Sequence, residues 1–146
     1  VDFTVNEPKT VVKEAEDADW STLTGDAVGV QAEDNAHSSG GKSIGHVTGG
    51  YLQYTFETLE EMNLVVTVVL AKYEPIKVSD LVSSFQIDGK DATFDDITLG
   101  RVDGNDFFNM KECAVTCGKL AAGVHTFKIN FKGGPNLDCF KFTFTK

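Results

Sequence analysis

Two glutamates near the start of the chain, Glu14 and Glu16, stand two residues apart. A pair of carboxylates is what a glycoside hydrolase uses, with one carboxyl on each side of the scissile bond and about 5–9 Å between them. The rest of the sequence does not support catalysis, because it contains no G-x-S-x-G or H-E-x-x-H motif and no Cys–His arrangement with a known local signature. Residues 88–91 also lack the later ligands of an EF-hand loop. We therefore predict that this protein is not an enzyme.

Three cysteines, Cys113, Cys117 and Cys139, make an odd number. In an extended strand Cys113 and Cys117 face the same side but lie roughly 13 Å apart, which is too far for a disulfide. Either of them could still meet Cys139 on a neighbouring strand. We interpret all three as buried free thiols that pack as small apolar side chains. A zinc site is not predicted, because no CxxC pair or nearby histidine completes a ligand set.

The elements that must position these residues are strands. Apolar and polar residues alternate through residues 51–56, 127–132 and 140–145, and residues 64–70 are apolar on both faces, which predicts a central strand. Asp88-Gly89 is a hairpin-turn signal, and the only helical candidate, residues 58–62, is one short turn. Strands separated by turns, with no βαβ spacing, predict an all-β fold, an antiparallel two-sheet β-sandwich.

Length and charge limit what such a sandwich could bind. A chain of 146 residues, 41% of them hydrophobic, predicts one globular domain over residues 1–146. The net charge of -9 argues against nucleic acid and an anionic membrane, which both need a basic surface. The negative charge also disfavours a highly acidic polymer as ligand, unless a local basic pocket or a bound cation reverses the electrostatic field there.

The longest apolar run, residues 64–71, is too short to span a bilayer. The chain starts at Val1 without a secretory leader, and we interpret it as a mature or excised segment.

Five short stretches carry a resemblance to known proteins. They are E-A-E-D at residues 14–17, S-G-G-K-S-I-G at 39–45, G-G-Y-L-Q-Y at 49–54, L-A-A-G-V-H-T-F at 120–127 and N-L-D at 136–138. In this order and spacing the sequence resembles the carbohydrate-binding modules of families 6 and 35 over about residues 12–146. The resemblance implies a jelly-roll-like, galactose-binding-like β-sandwich that is secreted and monomeric.

The resemblance also implies a structural calcium ion. Ca²⁺ takes six to eight oxygen ligands from carboxylates and carbonyls, and the positions that match are Glu14, Glu16 and Asp138. In a strand Glu14 and Glu16 would face one side, and Asp138 would arrive from the last strand. Carbonyl oxygens of the loop at residues 39–42 could complete the shell. The alternative is that these carboxylates are solvated surface charges of an acidic protein.

The modules that this sequence resembles bind sugar in a cleft among loops at one end of the sandwich, where an aromatic ring stacks on the sugar and an amide holds its hydroxyls. The resemblance assigns the amide to Asn136, which could otherwise be a turn residue after Pro135. Where the family carries G-G-W, this chain has Phe107 and Phe108, either of which could replace the tryptophan, and Asn109 could donate to a hydroxyl. Adjacent strand residues face opposite ways, so we expect one phenylalanine in the core and the other exposed.

Three further residues are candidate ligand contacts. Tyr73 opens the loop after the predicted central strand, Trp20 is the only tryptophan, and His37 precedes two serines. Each could instead have a structural role in its own loop or in the core. A second candidate surface is the outer face of one sheet, which would display Tyr51, Gln53, Thr55 and Lys128.

We therefore predict non-catalytic carbohydrate binding that targets an appended polysaccharide-degrading enzyme to plant cell-wall glycans of the xylan, β-glucan or mannan type. The parent protein would then carry a covalently attached catalytic domain. The alternative is a lectin-like or adhesion module that binds host glycans or a protein partner. Both would use the same fold, and the sequence barely separates them.

Overall fold

A computed structural model describes residues 1–36, 38–100 and 110–146 of the chain. Within them the chain forms two β-sheets and one two-stranded ribbon, with strands numbered here in chain order. The six-stranded sheet contains β1 (Phe3–Val5), β3 (Leu23–Gly25), β6 (Val47–Thr58), β9 (Val82–Ile87), β10 (Lys90–Asp91) and β14 (Gly123–Phe131). The seven-stranded sheet contains β2 (Lys9–Glu14), β4 (Gln31–Asp34), β5 (Lys42–Gly45), β7 (Met62–Ala71), β11 (Thr93–Phe94), β13 (Lys111–Leu120) and β15 (Asn136–Thr145). The ribbon pairs β8 (Ile76–Lys77) with β12 (Thr98–Leu99), and 3₁₀ turns cover Ala15–Asp17, Trp20–Thr22, Ser39–Gly41 and Val78–Asp80.

The order of the strands confirms the predicted all-β sandwich. One sheet runs β1-β6-β14-β9-β10 with β3 also on β6, and the other runs β11-β13-β7-β15-β5-β4 with β2 also on β15. The pairings within the two sheets are antiparallel except for β1 with β6. No helix among the described residues is both long and apolar enough to cross a membrane.

The period-two alternation places one face of each long strand in the core. Phe56 of β6 and Phe127 of β14 meet Phe142 of β15 across the sandwich, with ring centroids 5.9 and 5.7 Å from that of Phe142. All three rings are fully buried. Edge-to-face pairs of this kind add specific attraction to the burial of apolar surface. The abundance of phenylalanine in this chain therefore reflects a core that joins the two sheets.

Of three local predictions from the sequence, two are confirmed and one is wrong. The central position of β7 is confirmed, because this strand pairs with β13 on one side and β15 on the other. The hairpin at Asp88-Gly89 is also confirmed, since both residues have positive φ, 52° and 80°, as a type I′ turn requires. The helical turn at residues 58–62 was wrong. Thr58 ends β6 and donates its hydroxyl to the Ala121 carbonyl, and Met62 begins β7 in the other sheet.

The three cysteines are free thiols, as predicted. Cys113 and Cys139 are buried and Cys117 is half-buried. The pairing of β13 with β7 shifts register between Thr116 and Gly118, so Cys117 does not share the fully buried position of Cys113.

We expect these thiols to be unreactive in the native protein. Burial raises the pKa of each from its ordinary value of 9.0 to about 12. Because the thiolate is the nucleophile, its population falls roughly a thousandfold. Mass spectrometry after treatment with iodoacetamide at about pH 8 should show no adduct on native protein and three on protein unfolded in urea. Rapid single labelling of the native protein would show that Cys117 is more open than the structure indicates.

Candidate functional site

A cleft of about 500 Å³ opens at one end of the sandwich, where loops join the two sheets. Eight of its ten described lining residues are polar or charged. The described residues that line it are Asp26, Glu33, Asp34, Ser43, His46, Val47, Thr48, Lys72, Gly134 and Asn136. The volume lies in the range of small-molecule sites.

Asn136, the residue to which the resemblance assigns the sugar-binding amide, lines this cleft. It begins β15 opposite Ala71, the last residue of β7. The loop before it is held in place by two contacts. The Lys72 ammonium donates to the Gly134 carbonyl at 2.8 Å, and a methyl group at Gly134 would lie 1.7 Å from the Val47 carbonyl oxygen. Only glycine allows this close approach, so the loop fixes where β15 starts and where Asn136 stands.

Glu33 is a cleft residue that the sequence did not single out. A methyl group at Gly45 would lie 1.9 Å from Glu33 Oε1 and 3.5 Å from Asn136 Oδ1. These two oxygens therefore flank one glycine, and a side chain there would displace the carboxylate. A carboxylate and an amide side by side can accept from and donate to neighbouring hydroxyls. The glycine in S-G-G-K-S-I-G was the available signal, but its partner Glu33 comes from a different strand.

His46 lies between two carboxylates that line the cleft, those of Asp26 and Glu33. Its Nδ1 lies 2.8 Å from Asp26 Oδ2 and its Nε2 lies 3.6 Å from Glu33 Oε2. Its backbone φ of 65° is in the left-handed region that non-glycine residues rarely occupy. The hydrogen bond to Asp26 raises the pKa of His46, and the charges of Asp26 and Glu33 add to this rise. The same hydrogen bond lowers the pKa of Asp26.

We expect this cluster to make folding stability depend on pH. A histidine whose pKa is raised on folding contributes stability that is fully present below its unfolded value of about 6.5 and is lost as pH rises through the folded value. Urea unfolding of wild type and His46→Asn should therefore differ most at about pH 5.5 and least at about pH 8.5. Asparagine is the control residue because it tolerates positive φ. If wild type is more stable than His46→Asn by the same amount at both pH values, the imidazole ring carries no charge in the folded protein.

Of the other predicted ligand contacts, the two that the structure describes, Trp20 and Tyr73, do not line the cleft. Trp20 packs against the core, and its indole N–H donates to the Ala15 carbonyl at 3.1 Å. Tyr73 is 43% exposed and follows Lys72 in the chain, but it is not among the described residues that line the cleft. His37, Phe107, Phe108 and Asn109 lie outside the described residues. The described lining contains no phenylalanine, tyrosine or tryptophan, so its contacts to a ligand would be made mainly by polar groups.

The outer face of the six-stranded sheet is a separate polar surface. Lys128 lies opposite Gln53, and its ammonium sits 4.3 Å from the centroid of the Tyr51 ring. The Asn130 amide donates to Ser84 and Gln86 at 3.0 and 3.2 Å. Thr55 continues the row along β6. This face displays the side chains that the sequence suggested, but the ring of Tyr51 is covered by Lys128 and the Asn130 amide is occupied by protein acceptors.

The three predicted metal ligands are close together at the edge of the sandwich. Glu14 ends β2 opposite Cys139 of β15. The pairing of β15 with β7 shifts register between Leu137 and Cys139, so Asp138 lies in a bulge. Bulges re-aim side chains, which explains how Asp138 leaves the alternation of β15. Glu16 does not continue the strand as expected, because it belongs to the 3₁₀ turn Ala15–Asp17.

The 3₁₀ turn Ser39–Gly41 closes over these carboxylates. The Ser39 N–H donates to Asp138 Oδ2 at 3.1 Å, and its hydroxyl donates to Glu14 Oε1 at 2.5 Å. A methyl group at Gly40, whose φ is 67°, would lie 3.0 Å from Glu16 Oε1. The turn predicted to supply carbonyl ligands is therefore in contact with all three acids.

The carboxylates fit a hard cation. Glu14 Oε2, Glu16 Oε2 and Asp138 Oδ1 are buried and have no hydrogen-bond partner among the described residues. Burial, and then the negative charge of neighbouring acids, raises the pKa of Glu16 and of Asp138. Buried charges of one sign need a counter-charge, and oxygen donors select Ca²⁺ or Mg²⁺. Cys139 Sγ lies within 4.8 Å of carboxylate oxygens of Glu14 and Asp138, but burial raises its pKa to about 12 and keeps it a neutral thiol.

Several solved structures share this fold, whereas no protein-family model and no curated protein matches the sequence. A family 35 carbohydrate-binding module from Clostridium thermocellum superposes with a TM-score of 0.67 over 92% of this chain and 97% of the module, at 16% identity. The C-terminal family 6 module of a marine laminarinase from Zobellia galactanivorans gives 0.63 over 92% and 99%, at 17% identity. A GH26-CBM35 β-(1,4)-mannanase from Podospora anserina gives 0.63 over 96% of this chain and 28% of the enzyme, at 16% identity. The chain therefore has the β-sandwich fold of the family 6 and family 35 carbohydrate-binding modules.

Proposed function

We propose that this domain is a non-catalytic carbohydrate-binding module that takes a neutral polysaccharide in the cleft beside Asn136. The observation that carries this proposal is the cleft itself, in which Asn136 and Glu33 present an amide and a carboxylate on either side of Gly45. Sugar hydroxyls both donate and accept, so they match such a pair. The shared fold with carbohydrate-binding modules supports the same function.

The charges of the cleft favour neutral sugars over uronic acids. The basic groups at the cleft already face protein acceptors. Lys72 donates to the Gly134 carbonyl at 2.8 Å, and His46 faces Asp26 at 2.8 Å. Lys42, beside the cleft, pairs with Asp34, also at 2.8 Å. The described lining carries the three carboxylates of Asp26, Glu33 and Asp34 against the two basic side chains His46 and Lys72, so its charge disfavours a sugar carboxylate.

A calcium ion held by Glu14, Glu16 and Asp138 would support this site indirectly. It would tie the end of β2 and the bulge of β15 to the turn Ser39–Gly41. That turn leads into β5, whose Ser43 lines the cleft and whose Gly45 separates Glu33 from Asn136. When bound, the ion supplies positive charge to three buried carboxylates and no chemistry at the sugar.

The same proposal includes attachment of this domain to a larger, extracellular enzyme. The matched mannanase is much longer than this chain, which covers 28% of it. This supports a domain that is attached to a polysaccharide-degrading enzyme and directs it to plant cell-wall glycans of the xylan, β-glucan or mannan type. Such a protein would act outside the cell.

A binding screen of the isolated, calcium-loaded domain tests this function. Affinity electrophoresis should show retardation by a neutral plant polysaccharide and none by polygalacturonate. Retention only by glycoprotein glycans would favour the lectin-like alternative. A folded, calcium-loaded sample that binds neither class would overturn the proposed function.

A further inference from the structure

The imidazole ring of His46 lies at the wall of the cleft, at a junction between the two sheets. His46 follows Gly45, the last residue of β5 in the seven-stranded sheet, and precedes Val47, the first residue of β6 in the six-stranded sheet. The backbone on both sides of His46 is thus held by strands. The side chain is 31% exposed, so solvent protons can reach the ring. This residue therefore combines a fixed backbone with a ring that is able to titrate.

The Asp26 carboxylate decides which ring nitrogen keeps its hydrogen. Asp26 Oδ2 lies 2.8 Å from Nδ1 of His46. Asp26 is itself held, because its Oδ1 accepts the N–H groups of Val28 at 2.9 Å and Gly29 at 3.3 Å. The hydrogen bond with His46 lowers the pKa of Asp26, so this carboxylate stays ionised and accepts a hydrogen from Nδ1. The charge of the ring therefore depends on whether Nε2 carries a hydrogen.

The Glu33 carboxylate faces this second nitrogen. Glu33 Oε2 lies 3.6 Å from Nε2, which is an ion-pair distance and longer than a hydrogen bond. A protonated Nε2 attracts the carboxylate. After the proton is lost, Nε2 presents a lone pair to Glu33, and the attraction becomes a repulsion. The charge of His46 therefore determines whether Glu33 is attracted to its present position in the cleft.

The lysines near the cleft do not replace His46 in this role. Lys42 of β5 pairs with Asp34, the neighbour of Glu33 in β4, at 2.8 Å. Lys72, which follows β7, donates to the Gly134 carbonyl at 2.8 Å. Within the described ranges neither lysine lies at ion-pair distance from Glu33, so each adds attraction only from farther away.

The surrounding charges favour the protonated ring. The hydrogen bond to Asp26, and then the charges of Asp26 and Glu33, raise the pKa of His46 above its ordinary value of 6.5. The ring is therefore charged in mild acid and loses its proton at a pH above that value.

We propose that His46 is a positioning residue of the sugar cleft, whose protonated ring holds Glu33 where it accepts a hydrogen bond from a sugar hydroxyl. Binding of a neutral polysaccharide then weakens as pH rises through the titration of this ring. The inference rests on the proposed carbohydrate-binding function and adds a dependence on pH to it. A neutral polysaccharide has no group that ionises near neutral pH, so the dependence must come from the protein.

Isothermal titration with the neutral polysaccharide retained in the screen tests this role at about pH 5.5 and pH 8.5. Saturating calcium at both pH values keeps the acids of the calcium site ionised. We expect wild type to bind about fivefold or more tightly at the lower pH. His46→Asn should bind equally at both, because asparagine tolerates the positive φ and does not titrate. His125→Asn is the matched control, since His125 lies on β14 and pairs with Asp88, outside the cleft. A pH dependence that persists in His46→Asn, or disappears in a folded His125→Asn, would overturn the proposal.

Proton linkage gives a second readout on the unmodified protein. If the protonated protein binds sugar about fivefold more tightly, saturating sugar must raise the titration midpoint of the His46 ring by about 0.7 pH units. NMR of the histidine ring nitrogens, with and without an oligosaccharide of the retained polymer, measures this midpoint. A midpoint that does not move would leave His46 a structural residue and overturn the proposal. Equal binding at both pH values would reject the role of His46 alone, whereas no binding at either pH would reject the proposed function as well.

Discussion

Removal of calcium is expected to lower the thermal unfolding temperature of this domain by about 5–15 °C. An ion that binds only the folded state at 100 to 1,000 times its dissociation constant adds about 2.7–4.1 kcal/mol. For a chain of this size each kcal/mol corresponds to about 2–4 °C. The physical reason is that Glu14, Glu16 and Asp138 bury oxygens that face no donor in the described structure. Circular dichroism melts in calcium and in EGTA measure the shift.

Substitutions at the cluster separate calcium binding from general charge effects. Asp138→Asn should abolish the response to calcium. Glu57→Gln, on the outer face of the six-stranded sheet, should retain it in full. Magnesium should substitute poorly, because it requires a tighter octahedral shell. If EGTA leaves the melt unchanged and Asp138→Asn raises the unfolding temperature, the three acids form no calcium site.

The difference in unfolding temperature between calcium and EGTA should also become smaller at acidic pH. Glu16 and Asp138 have pKa values raised above those of the unfolded chain, mainly by burial. Carboxyls of this kind favour folding when protonated, and that contribution is lost as pH rises through the folded pKa. Protons therefore compete with calcium for the same oxygens.

Asn136→Ala is expected to weaken binding of a neutral polysaccharide about tenfold or more. Truncation of a side chain that hydrogen-bonds a desolvated ligand costs about 1–3 kcal/mol, and the half-buried Asn136 can be removed without opening the core. Asn130→Ala is the matched control, because Asn130 lies on the outer sheet face and its amide is held by Ser84 and Gln86. Titration calorimetry with the best ligand from the screen measures both variants.

Gly45→Ala tests the same cleft without a change of charge. The added methyl would lie 1.9 Å from Glu33 Oε1, so the Glu33 carboxylate must leave its present position in the cleft. We expect a loss of affinity comparable to that of Asn136→Ala. If Asn130→Ala weakens binding and neither cleft variant does, the sugar binds on the sheet face.

The alternation of residues along the chain was enough to predict the sandwich. Leu52, Tyr54 and Phe56 are buried on β6, and Phe140 and Phe142 are buried on β15, as their period of two requires. Such patterns can be recognised in the sequence because local backbone geometry determines which residues lie on each face of a strand. The same reasoning failed at residues 58–62, where the chain crosses between sheets and tertiary contacts of Thr58 decide the conformation.

Some residues of the candidate sites could likewise be predicted from the sequence, and others could not. Glu14, Glu16, Asp138 and Asn136 could be named from short motifs. Glu33 could not, because it approaches Gly45, beside Asn136, from β4, which is far from Asn136 in sequence.

The sequence by itself therefore determined the class of fold, the core-facing residues of its long strands and the residues that match a known set of motifs. The tertiary structure alone decided which polar groups meet. The bulge at Asp138, the left-handed turn at His46 and the close approach at Gly134 each depend on contacts between segments far apart in the chain. Periodicity reports which face of a strand is apolar, but it carries no information about register or loop packing, and those two place the functional atoms.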